Sequence, residues 1–178
     1  MDHGGGPPFT RYHSAMLRSR GFTWIELIII LAVIAILGAM AVPGLHDTTL
    51  KKQVKEGMAL GDVAKKGVQA AWAVAGDLPK DNEAAAVPPS EKIVGALVKG
   101  VKVDHGAVTL TFGNNANKSL HDKRLTLRPA VVKDQAAVPI AWLCNTADVP
   151  GGMEVKGKNE TDIPDKWLPL ECRGTPKK

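Results

Sequence analysis

Nineteen consecutive residues, Leu27 to Leu45, carry no ionisable side chain: LIIILAVIAILGAMAVPGL. As a helix rising about 1.5 Å per residue, the run spans most of a bilayer hydrocarbon core about 30 Å thick. Any fold containing it must keep it out of water. One acid, Glu26, stands at its head, shortly after Arg18-Ser19-Arg20-Gly21. A charge in a membrane helix costs about 2.5–3.5 kcal/mol at the centre and less toward the end. A carboxylate retained at that edge implies a cation that meets it.

The run is not an ordinary secretory signal, which has a shorter apolar stretch and a small-residue cleavage site behind it. Here no A-x-A-like site follows the run where one is expected, the Ala39-Met40-Ala41 match lies inside the run itself, and the candidate processing point lies before it, at Gly21–Phe22. Arg18 and Arg20 hold the leading side in the cytoplasm and leave the C-terminal bulk outside. An uncleaved anchor has the same orientation but gives Glu26 no role. Cleavage between Gly21 and Phe22 creates an amino-terminal cation one helical turn before Glu26. That cation pairs with Glu26 of its own chain or of a staggered neighbour. In the second case the carboxylate sets assembly register, the best-attested use of a buried polar group.

Gly21-Phe22-Thr23-Trp24-Ile25-Glu26-Leu27 followed by the unbroken apolar run resembles the class III signal of type IV prepilins. The resemblance implies that a prepilin peptidase cuts after Gly21 and N-methylates Phe22, that Glu26 is the assembly carboxylate, and that Pro43 bends the long helix. Near the other end, Ile163-Pro164-Asp165-Lys166-Trp167-Leu168-Pro169-Leu170-Glu171-Cys172-Arg173 is similar to the C-terminal segment of type IVa pilins, and Trp142-Leu143-Cys144 to the end of their last strand. Residues 77–135 carry no specific match. The implied fold is α+β, a long N-terminal helix packed on a four-stranded antiparallel sheet. The implied function is that of a structural subunit of a surface filament used for adhesion, twitching motility or DNA uptake. The implied partners are copies of the same chain, the prepilin peptidase, an assembly platform with its ATPase, and the inner membrane before assembly. A minor or DNA-binding competence pilin and a type II secretion pseudopilin share the same N-terminus.

The expected organisation is a leader over 1–21, a hydrophobic helix over 22–50 and a head over 51–178. Arg11, Arg18 and Arg20 are the only basic residues before Lys51, and Asp2, Glu26 and Asp47 the only acids, so the net charge of +5 falls on the head. That excess is scattered, as on a solvated surface rather than a nucleic-acid footprint. The two cysteines, Cys144 and Cys172, follow a membrane-targeting segment. An even count in that setting suggests one disulfide in an oxidising compartment, with two free buried thiols as the other reading.

Leu50, Val54, Met58, Gly61, Ala64, Val68, Trp72 and Ala75 recur at helical spacing, so a single helix is expected from about Thr23 to Ala75, kinked at Pro43. Gly57, Gly61 and Gly67 weaken it by about 0.8–1 kcal/mol each relative to alanine. Close approach of another element explains them; mere tolerance does so equally. Residues 77–91 carry three prolines and read as a loop. A sheet is expected over about 93–145. Val101 and Val103 alternate with polar residues, as do Val108, Leu110 and Phe112, and Asp104-His105-Gly106 between them predicts a hairpin. Leu125 and Leu127 open a third strand in which Pro129 suggests an edge or bulge. Ile140, Trp142 and Cys144 line one face of a fourth. Residues 145–171 then form a loop tied back by the cysteine pair.

The five histidines show no metal-ligand spacing, and no phosphate loop or catalytic triad stands out, so no enzyme, cofactor or metal is expected. Asn159, Glu160, Thr161, Asp162 and Asp165 offer oxygens to a cation only weakly, without an EF-hand pattern. Lys118, Lys123, Arg124, Arg128 and Lys133 form a candidate phosphate stripe, weakly supported for want of stacking aromatics.

Overall fold

The computed structural model describes residues 21–174, with the side chains of 41–45 outside the description. The leader through Arg20 and the side chain of Pro43, to which the sequence assigns a kink, therefore lie outside the described residues. Two units, divided between Met40 and Ala41, are each described by themselves.

Helix α1 covers Trp24–Met58 and α2 covers Gly61–Ala75. The single helix expected over this stretch is interrupted at Ala59 and Leu60. There the amides of Ala59, Leu60, Asp62 and Val63 donate to carbonyls three residues back rather than four. The interruption is thus a tightened turn of 3₁₀ type. Gly57 and Gly61 bracket it, and glycine is the residue that least resists a local change of helical pitch. Helix α2 ends at Gly76, whose left-handed φ of 65° lets its amide close on Trp72 O at 2.9 Å.

The expected stripe is the buried one. Leu50, Val54, Gly57, Gly61, Ala64, Val68 and Trp72 face the interior, while Met58 is half-buried and Ala75 is exposed. Close approach, not tolerance, explains Gly57. A β-carbon built there lies 2.5 Å from Phe112 Cε1 and 3.2 Å from Val98 Cγ2. At Gly61 the nearest atom, Leu127 Cδ1, is 3.2 Å away, and Gly67 lies under the carbonyl of Ala85.

The sheet runs β1 (Val98–Asp104), β2 (Ala107–Phe112), β3 (Arg124–Val131) and β4 (Ala141–Cys144) in that order, all antiparallel, with a short β5 (Glu154–Val155) beside β3. His105 and Gly106, with φ of 48° and 81°, make the two-residue β1–β2 turn. Consecutive positive φ values match the right-handed twist of the paired strands. The loop before β1 is pinned by Asn82, whose amide donates to Pro88 O and Val101 O and whose carbonyl oxygen accepts from Val103 N at 2.7 Å.

Two expectations change. Pro129 lies in an interior strand, opposite Trp142 of β4. The β2 pairing stops at Leu127 and the β5 pairing starts at Ala130, so its missing N–H falls between the two partners, and its carbonyl accepts from Lys156 N. The second difference is that the threonines of β2 and β3 do not face solvent. Thr109 and Thr126 are a buried cross-strand pair, hydroxyl to hydroxyl at 3.1 Å. The C-terminal segment crosses them: Gly157 lies against Ala107, and Glu160 N donates to Thr126 Oγ1 at 3.1 Å. Along the fourth strand the expected alternation is broken: Ile140 and Cys144 are buried, but Trp142 of the same expected face is only half-buried while Leu143 is covered.

Gly57→Val places a branched side chain against Phe112 and Val98. It is expected to destabilise the head by about 1–3 kcal/mol and lower the unfolding midpoint by about 3–10 °C, read by circular dichroism of the detergent-solubilised chain. A second prediction concerns the β1–β2 turn. Hydrogen bonds from His105, then Lys102, hold the Asp104 carboxyl below its ordinary 3.8. A depressed carboxylate stabilises the fold above its unfolded value and loses that contribution as pH falls through the folded one. His105→Ala is therefore expected to raise the Asp104 midpoint in an NMR titration and to remove part of the acid-range stability.

Candidate functional site

Every residue from Gly21 to Met40 is exposed. Phe22 and Trp24 are 75% and 77% accessible, and the isoleucines, leucines and valines behind them stand open all round the helix. A helix apolar on every side is a buried element awaiting its environment. Taken over the described residues alone, no helix is long and apolar enough to cross a membrane; side-chain description of the nineteen-residue run stops at Met40.

The first turn is built around Glu26. Its carboxylate accepts from Thr23 N at 3.4 Å, and its own amide donates to Thr23 Oγ1 at 3.3 Å. This is a reciprocal capping box, long in both distances, with Leu27 N closing on Thr23 O at 3.1 Å. The carboxylate also sits at the positive end of the helix dipole. Glu26 thus has a hydrogen-bond partner within its own first turn. Sequence reasoning missed Thr23, although Thr23-Trp24-Ile25-Glu26 carries the T-x-x-E signature in full. Gly21 is open, with nothing within 4 Å of a β-carbon built on it.

Cys144 and Cys172 are joined in a disulfide, Cα to Cα 4.7 Å, and both are buried. The bridge ties the end of β4 to a 3₁₀ turn, Leu170–Cys172. Before it a second turn, Asp165–Trp167, reaches α1: Trp167 Nε1 donates to Asp47 Oδ1 at 2.9 Å, and Lys166 Nζ stands 3.9 Å from the same carboxylate.

The candidate phosphate stripe is divided. Arg124 pairs with Glu160 and Asp162, and Arg128 donates to Asn145 O at 2.8 Å, which leaves Lys118, Lys123 and Lys133 of the five. The oxygens proposed for a cation are engaged by protein donors. Arg124 N donates to Asp162, Thr126 N to Thr161 Oγ1, and Asn145 Nδ2 to Asp165. Among the described residues no group of His, Cys, Asp or Glu is arranged to hold a metal.

An uncovered apolar helix ahead of a disulfide-closed α+β head is the architecture of a structural protein rather than of a catalytic one. Residues 51–173 match the family described as pilin, a bacterial filament protein. The chain is 37% identical over 161 residues to the type IV major pilin protein PilE of Neisseria gonorrhoeae, covering 86% of this chain and 93% of that one. It is 34% identical over 166 residues to a fimbrial protein of Neisseria meningitidis serogroup A, with 86% and 94% covered. A shorter stretch of 46 residues is 48% identical to the type IV major fimbrial protein FimA of Dichelobacter nodosus, covering 26% and 29%. The chain belongs to the type IV pilin family, which is structural and non-enzymatic.

Replacing both Cys144 and Cys172 by alanine frees a loop of 27 intervening residues. The expected loss is about 3–4 kcal/mol, measured by denaturant unfolding of oxidised and variant proteins side by side.

Proposed function

We propose that this chain is the major subunit of a type IV pilus, made as an inner-membrane precursor and polymerised into an extracellular surface filament. Prepilin peptidase removes residues 1–21, cutting after Gly21 and methylating the amine of Phe22. The terminal ammonium of an incoming subunit then meets Glu26 of a neighbour and fixes the axial register of the helix bundle. Pro43 bends the helix above that bundle. An assembly platform and its ATPase supply the energy. The resulting filament serves adhesion, twitching motility or DNA uptake.

The observation that carries this reading is the coincidence of an uncovered apolar helix with a carboxylate in its first turn. The helix needs copies of itself for cover. The acid discriminates among the positions those copies take, because an unneutralised charge among apolar helices is penalised. A DNA-contact role is supported less, since Arg124 and Arg128 already face protein acceptors.

Mass spectrometry of sheared surface filaments tests the proposal. The expected result is a dominant chain that begins at N-methylated Phe22; filaments whose subunits retain the leader would overturn it. Glu26→Val is expected to leave the precursor stable and membrane-bound while abolishing filaments in electron micrographs. Normal filaments from that variant would remove the register role.

A further inference from the structure

We infer that Trp24 is a membrane-interface anchor: its indole lodges among the headgroups of the cytoplasmic leaflet and sets the depth at which the Gly21–Phe22 bond is presented. The inference rests on the membrane-precursor reading above.

The argument begins with what surrounds Trp24. From Leu27 to Leu45 the chain offers only aliphatic, methionine, glycine and proline side chains. The side chains with a polar handle gather in the first turn: Thr23, Trp24 and Glu26. Two of these are engaged with each other through the capping box. Trp24 is not part of that exchange, and the residue is 77% accessible. A large amphipathic ring left so open is poorly placed in water, and in hydrocarbon its N–H loses its hydrogen bond. Headgroup depth satisfies both ends of the ring, which is why tryptophan gathers at membrane interfaces.

Length arithmetic puts Trp24 there. Nineteen residues at about 1.5 Å each nearly fill a hydrocarbon core of about 30 Å, and Trp24 lies three residues, about 4.5 Å, outside the first of them. The far end has little slack. Asp47, two residues beyond Leu45, already accepts from Trp167 Nε1, and Leu50 is fully buried in the head. Sinking the run deeper on that side would drag this polar contact toward lipid. Arg18 and Arg20 oppose the reverse shift, because they favour the cytoplasmic face. Trp24 then holds the plane between the two, with the scissile bond two to three residues farther out along non-helical chain, at most about 10 Å away, in water's reach. Glu26 lies at the inner edge of the same plane, where its charge costs less than at mid-membrane.

The test uses the full-length precursor in vesicles of phosphatidylcholine and phosphatidylglycerol whose acyl chains are brominated either near the headgroup or near the terminal methyl. Subtracting the emission of Trp24→Phe isolates Trp24 from Trp72, Trp142 and Trp167. Headgroup-proximal bromines are expected to quench the Trp24 component at least about twofold more than chain-terminal ones. Equal or stronger quenching from chain-terminal bromines, with the protein inserted, overturns the anchor and leaves the membrane precursor standing. No quenching at any depth, with the protein recovered free of vesicles, overturns the membrane precursor itself. Cleavage supplies the second readout. Trp24→Leu is expected to slow processing after Gly21 about threefold or more, and Trp24→Tyr, which keeps an amphipathic ring, to restore it to within about twofold. Equal processing of all three overturns the positioning role.

Discussion

An apolar helix surface that water cannot cover governs this molecule. Side chains from Trp24 to Met40 face outward on all sides of α1, and burying apolar area stabilises by about 25 cal/mol for each Å² removed from water. Such a surface associates with anything apolar, and affinity alone gives it no fixed geometry. In the register role proposed above, Glu26 supplies the missing constraint. Its bond to Thr23 keeps the carboxylate at the helix end, at distances of 3.3–3.4 Å that exceed the ordinary N–H···O range. A weak internal partner suits a group that must be tolerable alone and better satisfied in company.

The head solves the opposite problem, since it must be finished by itself. Its core depends on the sheet coming close to the helices, which is the role of Gly57 and Gly61, and on the loop over Gly67. The C-terminal segment then closes the outer face of the sheet over Thr109 and Thr126, and the Cys144–Cys172 bridge fixes the end of that segment. Arg124 binds the same segment to β3, and Arg128 ties β3 to the carbonyl of Asn145 just past β4. The basic residues that resemble a binding stripe in the sequence are thus partly structural. They hold down a region whose glycines and prolines give it little order of its own.

Local pattern made much of this legible. The buried helical stripe follows from spacing, the β1–β2 hairpin from Asp104-His105-Gly106, and the disulfide from the cysteine count in its setting. What escaped was set by distant partners. Pro129 reads as an edge residue because nothing nearby in sequence announces that β5 takes over where β2 stops. Thr109 and Thr126 alternate as solvent-facing residues do, and the segment that buries them arrives more than thirty residues later. The contact from Trp167 to Asp47 spans 120 positions, beyond the reach of any periodicity. Thr23 is the different case: its capping signature is local and complete, and the larger signal of Glu26 hid it.

The grip of Asn82 on β1 has a consequence for life at high density. β1 is an outer strand, and an outer strand's unpaired amides and carbonyls are a template for further strands. Asn82 occupies the carbonyl of Val101 and the amide of Val103, the groups a stray strand would seek. Heads crowded side by side on a fibre therefore find these two groups of the sheet's border already taken.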